Sequence, residues 1–345
     1  MNGSRVTLSD IARMAGVSKN AVSLALRHDP QIPERTRWRI ELIARSVAYK
    51  KNATVAHLMA ELRKSRVPSF QASLALLNAN HDVAAFLRHP TIPIYISGCR
   101  KRAAEQGYSL DEFWLHDPSL NGERLNKIFR ARNIRGAIVV GLMKENRLPV
   151  RFGSTWSTFP TVVTGVRTQG PALSFACTDH HILALKAFKK AIEFGYRKPA
   201  LVLDHTIDDL TDGRFSAGVH VAQAALPISQ RARSFLLVEE AREKPDLFHR
   251  WFNKEKPDVL LTLYNVVQNW LKDQRTVGMI QLEWRAQSPN WAGMDQHNDI
   301  VGEAAVDMVI SMIHQGVHGA HEFPRGTLIG SSWVNGKTVK ARKQT

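Results

Sequence analysis

The chain of 345 residues is 44% hydrophobic and 23% charged, which suits about two or three globular domains with apolar cores. It contains two cysteines, too few for a disulfide framework or a four-cysteine zinc site, and we predict neither a metal nor a cofactor. No stretch approaches the roughly 18 consecutive apolar residues of a membrane helix, and Met1–Leu8 lacks the apolar core of a secretory signal. We therefore expect a cytoplasmic protein without a membrane partner.

The positive charge is concentrated near the N-terminus. Residues 1–66 hold 13 Lys and Arg against 5 Asp and Glu, whereas the remaining residues hold 34 against 26. A generally basic, solvated surface explains the second part of the chain but not the first. Such a concentration is typical of a segment that binds a polyanion such as a nucleic acid.

The residues from Thr7 onward predict two short helices joined by a tight turn. Thr7 and Asp10 form a capping box, with a hydroxyl at the N-cap and a carboxylate three residues later. Gly16 suits the left-handed conformation that ends a helix, and Ser18 suits the N-cap of the next one. Only Gly16-Val17-Ser18 separates the two helices, which is typical of a helix-turn-helix.

A third helix is predicted after Pro33. Pro at the first turn favours a helix start, and apolar residues recur at the spacing of one helix face, at Ile40, Ile43, Ala44 and Val47. The three helices would form a compact head with a basic outer surface.

Three segments carry a family resemblance: 6–23 (VTLSDIARMAGVSKNAVS), 33–37 (PERTR) and 48–53 (AYKKNA). Together they resemble the DNA-binding head of the lactose-repressor (LacI) family of bacterial transcription regulators; the alternative is an unrelated helical hairpin. The resemblance implies that Ser18–Arg27 is the recognition helix in the major groove. It implies DNA contacts by Thr7, Ser18, Lys19, Asn20, Ser23, Leu24, Thr36, Asn52 and Leu58. Of these, Lys19 and Asn20 would reach base edges, because Lys can donate to guanine and Asn can pair with adenine.

Leu24 departs from the family, which commonly has Arg at this position. A Leu side chain can touch a thymine methyl group but cannot hydrogen-bond to guanine, so we expect an operator unlike the common family one. Leu24 could instead belong to the core of the head, together with Val22 and Leu26.

The segment after Tyr49 resembles the hinge helix of the family at Ala53–Ala60. Leu58 occupies the position of the Leu that wedges into the minor groove and kinks the duplex. The family usually has Pro where Lys51 stands and Arg where Ala56 stands. As an alternative, Leu58 could pack on the body of the protein with a neighbouring Leu. We predict a head at residues 1–51, a hinge and linker at 52–69, and a body at 70–340.

The body alternates short apolar strands with helical periods, which is typical of parallel α/β sheets. We predict helices at His180–Phe194 and Asp299–Gln315, and nine strands at Ser73–Leu77, Tyr108–Leu115, Gly136–Gly141, Thr161–Val166, Ser174–Thr178, Pro199–Leu203, Ser234–Val238, Asp258–Leu263 and Val277–Gln281. Nine strands suit two subdomains better than one. The body resembles the α/β periplasmic-binding-protein-like (type I), two-lobed effector domain of the family.

Within the body, the resemblance implies a ligand cleft between the lobes. The effector-binding residues that it implies are Asn78, Asp82, Asp179, Arg214, Tyr264, Asn265 and Gln296. An Asp acceptor beside an Arg donor suits a polyhydroxylated ligand, although Asp179 and Arg214 could instead form an ion pair that only ties a strand to a helix. Two acidic positions of the family are lost, because Tyr264 replaces one Asp and Ile280–Glu283 replaces a G-x-D-D motif.

We therefore predict a sequence-specific DNA-binding transcriptional regulator, a repressor, controlled by a small-molecule effector for which a carbohydrate is one candidate. Two heads reading symmetric half-sites would join their affinities, so we expect a homodimer on double-stranded operator DNA. One alternative is a sugar receptor without a regulatory role, which the basic head opposes. The other is a sugar-acting enzyme with Asp179 in a carboxylate pair. The chain lacks the common hydrolase and P-loop motifs, so we predict that it is not an enzyme.

Overall fold

The computed structural model describes residues 7–26, 29–47, 70–271 and 276–342, excluding the side chains of Asn20 and Ser23. The head contains α1 (Leu8–Ala15), α2 (Lys19–Ala25) and α3 (Glu34–Ser46). Its core is formed by small and branched apolar side chains from all three helices: Ile11, Ala12, Ala15, Val22, Ala25, Ile40 and Ala44. The predicted three-helix head is therefore confirmed.

The first lobe of the body is a parallel sheet covered by helices on both faces. Its elements are β1 (Ala72–Asn78), α4 (Ala85–Arg88), α5 (Ile92–Glu105), β2 (Tyr108–Trp114), α6 (Gly122–Ala131), β3 (Ile134–Val140), α7 (Gly153–Thr158), β4 (Thr161–Thr164) and β5 (Ser174–Thr178), together with two elements from near the C-terminus, α14 (Asn298–Gln315) and β10 (Gly326–Ile329). The strand order is β2-β1-β3-β4-β5-β10, and every pairing is parallel.

The second lobe has the same layered construction. Its elements are α8 (His180–Glu193), β6 (Pro199–Val202), α9 (His205–Leu210), α10 (Arg214–Ala224), α11 (Val238–Glu243), α12 (Asp246–Glu255), β7 (Val259–Thr262), α13 (Val266–Trp270), β8 (Gly278–Gln281), β9 (Ala292–Asp295) and β11 (Ser332–Val334). The strand order is β6-β7-β8-β9-β11, and only β11 runs antiparallel to its neighbour.

Strands buried on both faces explain the continuous apolar runs of the sequence. Every residue of β1, β4, β5, β6, β7 and β8 is buried, as expected for parallel strands between two helical layers. Helices α5 and α14 cover one face of the first sheet and cross closely. A Cβ atom at Gly302 of α14 would lie 2.1 Å from the backbone oxygen of Tyr95 in α5, so this crossing requires glycine.

The described chain passes between the lobes three times. The crossings follow β5 at Asp179, β9 at Gln296 and His297, and β10 at Gly330 and Ser331. Because β5 and β9 both end at a crossing, the carboxyl ends of the two sheets face the place where the lobes meet. The predicted two-lobed architecture is confirmed, and its crossings bring residues distant in sequence to one site.

One predicted strand is wrong and three strands were missed. The segment Ser234–Val238 makes only isolated bridges from Phe235 and Leu237 to the edge of β6, and Val238 begins α11. The side chain of Asp204 accepts a hydrogen bond from the backbone of Glu239, which favours the helix at this point over a longer strand. The missed strands are β9, β10 and β11, each of only three or four residues.

Within the described residues, no helix is both long and apolar enough to span a bilayer.

Candidate nucleic-acid interface and interlobe site

Local hydrogen bonds fix the start of the helix-turn-helix. The Thr7 hydroxyl accepts from the backbone of Asp10, and the Asp10 carboxylate accepts from the backbone of Thr7, completing the predicted capping box. The Thr7 hydroxyl also donates to the Asp10 carboxylate at 2.7 Å, and this bond, followed by the one from the Thr7 backbone, lowers the pKa of Asp10. An ionised carboxylate in the first turn also favours the helix through its dipole.

The turn orients the second helix. Gly16 has φ +63°, the left-handed conformation expected of a helix C-cap. A Cβ atom at this position would meet no described atom within 4 Å, so the backbone conformation and not crowding favours glycine. The Ser18 hydroxyl then accepts from the backbone of Ala21 at 3.1 Å and caps α2. Local contacts, between residues three positions apart, therefore hold the N-terminus of α2 in place. This is the end of the helix that the resemblance directs toward DNA.

The packing of α2 leaves part of its surface outside the core. Val22 and Ala25 are fully buried, Lys19 is exposed, and Leu24 is half-buried. Among the described residues, Leu24 belongs neither to the buried core of the head nor to the apolar residues packed against it, which favours the DNA contact over the core alternative; both stay predictions. Its position on the outer part of α2 is the one that a DNA contact requires.

The structure describes only some of the remaining residues that are predicted to contact DNA. Thr36 is half-buried near the start of α3, and Ser18 serves as an N-cap. Asn52 and Leu58 lie outside the described residues, as do the side chains of Asn20 and Ser23.

An apolar strip on α3 was not predicted. The side chains of Trp38 and Leu42 stand one turn apart and are 65% and 52% exposed. The spacing i, i+4 could have revealed them as a second apolar stripe, on a different face from Ile40 and Ala44.

In the body, five predicted effector residues lie at the carboxyl ends of strands. Asn78 ends β1, Asp179 follows β5, Tyr264 and Asn265 follow β7, and Gln296 follows β9. The hydroxyl of Thr178 donates to the backbone oxygen of Gln296 at 3.1 Å, joining the end of β5 to the end of β9. We call the contacts between the lobes at these strand ends the interlobe seam.

Asn78 and Asp82 share a compact loop after β1. The Asn78 amide nitrogen donates to the backbone oxygens of Asp82 and Val83, both at 3.2 Å, and its oxygen accepts from the backbone of Asn80. The exposed Asp82 carboxylate accepts from the backbone of Ala84 at 2.8 Å. Both side chains therefore stabilise the loop, and Asp82 retains its solvent-facing side.

Arg214 reaches across the interlobe seam from the start of α10. Its guanidinium lies 3.6 Å from the Cys177 sulfur and 5.9 Å from the centroid of the Phe175 ring, both in the first lobe. Its ion pair is with Asp212 at 3.9 Å, and Arg167 of the first lobe contacts the same carboxylate at 2.8 Å. Burial raises the pKa of Cys177 to about 11, although Arg214 opposes the rise, so this thiol stays protonated.

Asp179 has a different partner. Its carboxylate accepts from the backbone of Ile182 at 3.1 Å and caps α8, and its side chain remains half-buried. The alternative of an Asp179–Arg214 ion pair is contradicted, since Arg214 pairs with Asp212.

A buried ion pair on the other side of the seam was not predicted. The guanidinium of Arg285 contacts the Glu283 carboxylate at 2.6 Å and donates to the Thr91 hydroxyl of the first lobe at 3.2 Å. Asn298 donates to the other oxygen of Glu283 at 3.1 Å. Burial, with the Glu283 charge as a second cause, raises the pKa of Tyr95. Glu283 is 8% exposed and occupies the region where the family has its acidic pair.

The amides near the seam are incompletely satisfied. Gln281 donates to the Asn265 oxygen at 2.7 Å, and Gln296 donates to the backbone oxygen of Leu282 at 2.9 Å. Seven buried side-chain polar atoms of the described residues have no hydrogen-bond partner, and four of them lie near the seam or at a crossing between the lobes: Gln281 Oε1, Arg285 Nε, Asn298 Oδ1 and Ser331 Oγ. Buried polar groups are nearly always paired, so such a concentration is typical of a site that binds a polar ligand. No cluster of metal-ligating side chains occurs within the described ranges.

Comparisons with known proteins agree with this arrangement. The model of the lacI family of bacterial regulatory proteins matches residues 7–52. The HTH-type transcriptional regulator MalR of Streptococcus pneumoniae serotype 4 (strain ATCC BAA-334 / TIGR4) is 23% identical over 200 residues, which are 57% of this chain and 56% of MalR. The match thus spans a little over half the length of this curated relative.

Solved structures extend the likeness to the whole chain. The transcriptional regulator CelR in complex with cellobiose covers 97% of this chain and 100% of its own, with a TM-score of 0.58 and 15% identity. The Lac repressor dimer bound to operator and the anti-inducer ONPF covers 98% of this chain and 100% of its own, with a TM-score of 0.55 and 16% identity. At these identities the likeness shows the fold.

The class of protein is therefore defined by a helix-turn-helix head followed by a two-lobed body of the periplasmic-binding-protein type, and the predicted fold class is confirmed. The head matches the model of the lacI family of bacterial regulatory proteins, and the relatives and solved structures to which the chain is similar include transcriptional regulators.

Proposed function

We propose that the chain is a sequence-specific DNA-binding transcriptional regulator, a repressor without an enzymatic step, that binds a palindromic operator as a homodimer. The head is proposed at residues 1–51, the hinge and linker at 52–69. The observation that carries the proposal is the capped α1–turn–α2 unit with Lys19 and Leu24 on the outer part of α2. The excess of positive charge in residues 1–66 supports a polyanion as the partner.

Operator selection from random duplex DNA tests this proposal, followed by variants of the recognition helix. Asn20→Ala should weaken binding to the selected operator by about 1–3 kcal/mol and relax the preference at one base pair per half-site. Lys144→Ala, which removes an exposed lysine of the body, is the control and should leave the preference unchanged. A uniform loss on all sequences with Asn20→Ala would make Asn20 a phosphate contact and contradict the register of the helix. A failure to select any sequence would contradict the function.

The hinge carries a separate part of the proposal. If Leu58 wedges between base pairs, Leu58→Ala should reduce operator bending and weaken specific binding more than non-specific binding. Unchanged bending in a fluorescence assay, together with lower thermal stability, would support packing of Leu58 on the body instead.

We further propose that a small polyhydroxylated effector binds at the interlobe seam. The side chains offered there are Asp179 and Arg214 at one end, Tyr264, Asn265 and Gln296 at the second sheet, and Asn78 and Asp82 at the loop after β1. The unpaired buried atoms of Gln281, Arg285 and Asn298 support a ligand with several hydroxyl groups. The cellobiose in the CelR complex makes a carbohydrate a reasonable first probe.

An effector acts on DNA affinity through its preference for one arrangement of the lobes, with a typical coupling of about 1–3 kcal/mol. Arg214→Ala should abolish the effector response while leaving ligand-free operator binding intact, because Asp212 keeps its contact with Arg167. Arg130→Ala, at an exposed arginine of α6, is the control. An unchanged response of Arg214→Ala at the same ligand concentration would contradict the assignment of the site.

A further inference from the structure

A cavity lies at the edge of the second lobe, on the side opposite the interlobe seam. It has a volume of about 780 Å³, and its lining includes Tyr196 shortly before β6, Asp258 just before β7 and Gly278 at the start of β8. Because β6, β7 and β8 are parallel and their carboxyl ends face the seam, their beginnings lie at the far edge of the sheet. The cavity is therefore separate from the proposed effector site.

The lining of this cavity is strongly basic. It includes Lys256, Lys337, Lys340 and Arg342, whereas Asp258 is the only acidic residue among the described residues that line it. The three lysines are exposed, and no carboxylate of the described residues lies within ion-pairing distance of them. Among the described residues, these three ammonium groups therefore have no carboxylate partner at the cavity.

Asp258 does not provide that counter-charge. Its carboxylate accepts from the backbone of Arg197 at 2.7 Å and of Lys198 at 2.9 Å, and it pairs with the Arg342 guanidinium at 3.2 Å. These donors occupy both carboxylate oxygens and hold them toward the protein. The Asp258 carboxylate is therefore fully engaged in bonds to the protein, whereas the lysine ammonium groups have no such bonds among the described residues.

The wall behind the lysines is rigidly built. The Arg342 guanidinium stacks 4.2 Å from the centroid of the Tyr196 ring, and the Tyr196 hydroxyl accepts from the backbone of Lys340 at 3.2 Å. A Cβ atom on Gly278 would lie 2.5 Å from the same hydroxyl, so the sheet approaches Tyr196 as closely as glycine allows. The positions of Lys340 and Arg342 are set by this packing.

Lys256 occupies a position where its conformation is costly. It ends α12 with φ +50°, in the left-handed region that usually holds glycine at a helix C-cap. A side chain here costs on the order of 1–2 kcal/mol relative to a right-handed residue. A strained backbone that retains a charged side chain at a cavity is a pattern typical of functional sites.

We propose that this cavity binds a small, multiply charged phosphorylated metabolite. Each lysine offers three rotatable donors and a compact charge, which suits phosphate oxygens that vary in orientation. The volume falls in the range of about 300–1,000 Å³ for small-molecule sites, larger than one phosphate group requires. No carboxylate of the described residues offsets the mutual repulsion of the lysines, and an anion with more than one charged group would relieve it.

The experiment uses the full-length chain and pyrophosphate as the probe, with binding followed by titration calorimetry at low ionic strength. Lys256→Gln, Lys337→Gln and Lys340→Gln combined should weaken saturable binding by at least about tenfold. The control combines Lys127→Gln, Lys144→Gln and Lys189→Gln, three exposed lysines outside the cavity, and removes the same total charge. The control should bind as the unmodified chain does, because its cavity lining is unchanged; the basic head is the same in all three proteins.

A second variant separates the cavity from the general charge. Asn253→Trp fills the cavity from an exposed position of α12 without changing the charge, and it should also weaken pyrophosphate binding. Inorganic phosphate is the comparison probe and should bind more weakly than pyrophosphate. The proposal is overturned if the control variant loses as much affinity as the cavity variant, if Asn253→Trp changes nothing, or if the two probes bind equally well.

Discussion

The buried ion pair at the interlobe seam yields the sharpest prediction for stability. Arg285→Met removes the guanidinium and keeps an apolar stem of similar length. Glu283 is 8% exposed, and after this change its carboxylate retains only the Asn298 amide as a described partner. The Thr91 hydroxyl also loses its contact with the second lobe. The variant therefore leaves a charge in a site that was built to neutralise it.

The magnitude follows from how much water reaches the pair. Removing one partner of a fully buried pair typically costs about 3–5 kcal/mol. Here the Arg285 side chain is 24% exposed and the Glu283 side chain 10%, so partial solvation reduces the penalty. We expect Arg285→Met to lower the free energy of unfolding by about 2–3 kcal/mol. Adding Glu283→Gln should restore most of this, because a neutral amide does not require the cation.

Urea unfolding of the four proteins in this double-mutant cycle measures the coupling. Arg100→Met is the matched control, because its pair with Glu112 is exposed on both sides and should contribute less than about 1 kcal/mol. The reasoning is refuted if Arg285→Met costs no more than Arg100→Met. It is also refuted if the double variant is as unstable as Arg285→Met alone.

Three further predictions concern single positions. Burial lowers the pKa of His180 to about 3 from its ordinary 6.5, so below pH 6.5 the unfolded chain binds a proton that the folded chain does not. His180→Gln should therefore reduce the loss of stability on acidification between about pH 6.5 and pH 3, by up to about 1.4 kcal/mol per pH unit. Urea unfolding at several pH values measures this, and equal slopes of unfolding free energy against pH in the variant and the unmodified chain would contradict it. Ser18→Ala should destabilise α2 by about 1 kcal/mol, measured by thermal melting of the head; an unchanged midpoint would mean that the cap contributes nothing. Gly302→Ala should cost about 1–3 kcal/mol or more, whereas Gly330→Ala, with open space around it, should be nearly neutral in the same assay.

The head could be predicted almost completely because its determinants are local. The capping box of Thr7 and Asp10, the left-handed Gly16 and the cap at Ser18 each involve residues at most four positions apart. Such bonds depend little on the rest of the chain, so the sequence pattern and the structure agree. The packing of Leu24 needed the structure, since Val22 and Leu26 beside it have the same apolar character but belong to the core of the head or pack against it.

The body was predictable where burial is continuous and less so elsewhere. Strand β3 has one exposed residue in seven and was found, whereas β10 and β11 are only partly buried and lie where distant segments pair. Strand β10 joins β5, some 150 residues earlier in the chain. The segment Ser234–Val238 was mistaken for a strand because its apolar residues fill the aromatic core around Phe248 without joining the sheet for more than single bridges.

At the interlobe seam, the spacing of motifs predicts where residues lie but not which side chains they contact. Local position correctly placed Asp179 and Tyr264 after predicted strands, whose carboxyl ends meet at one edge of a sheet. Gln296 follows β9, which was not predicted. The actual partners of the charges could not be read in this way. Arg285 contacts Thr91 from 194 positions away, which no spacing within a motif predicts.

The seam contacts also indicate how ligand binding could move the lobes. An effector changes the arrangement only by its differential affinity, so it must compete with or add to the contacts already made by Arg214 and Arg285. Thr91, which Arg285 contacts, immediately precedes α5, and Gln296 lies two residues before α14. Helices α5 and α14 cross closely at Gly302. A displacement of Thr91 or of Gln296 therefore acts on the same pair of packed helices. Because close-packed helices shift as units rather than deform continuously, this pair is the element through which the seam would act on the rest of the first lobe.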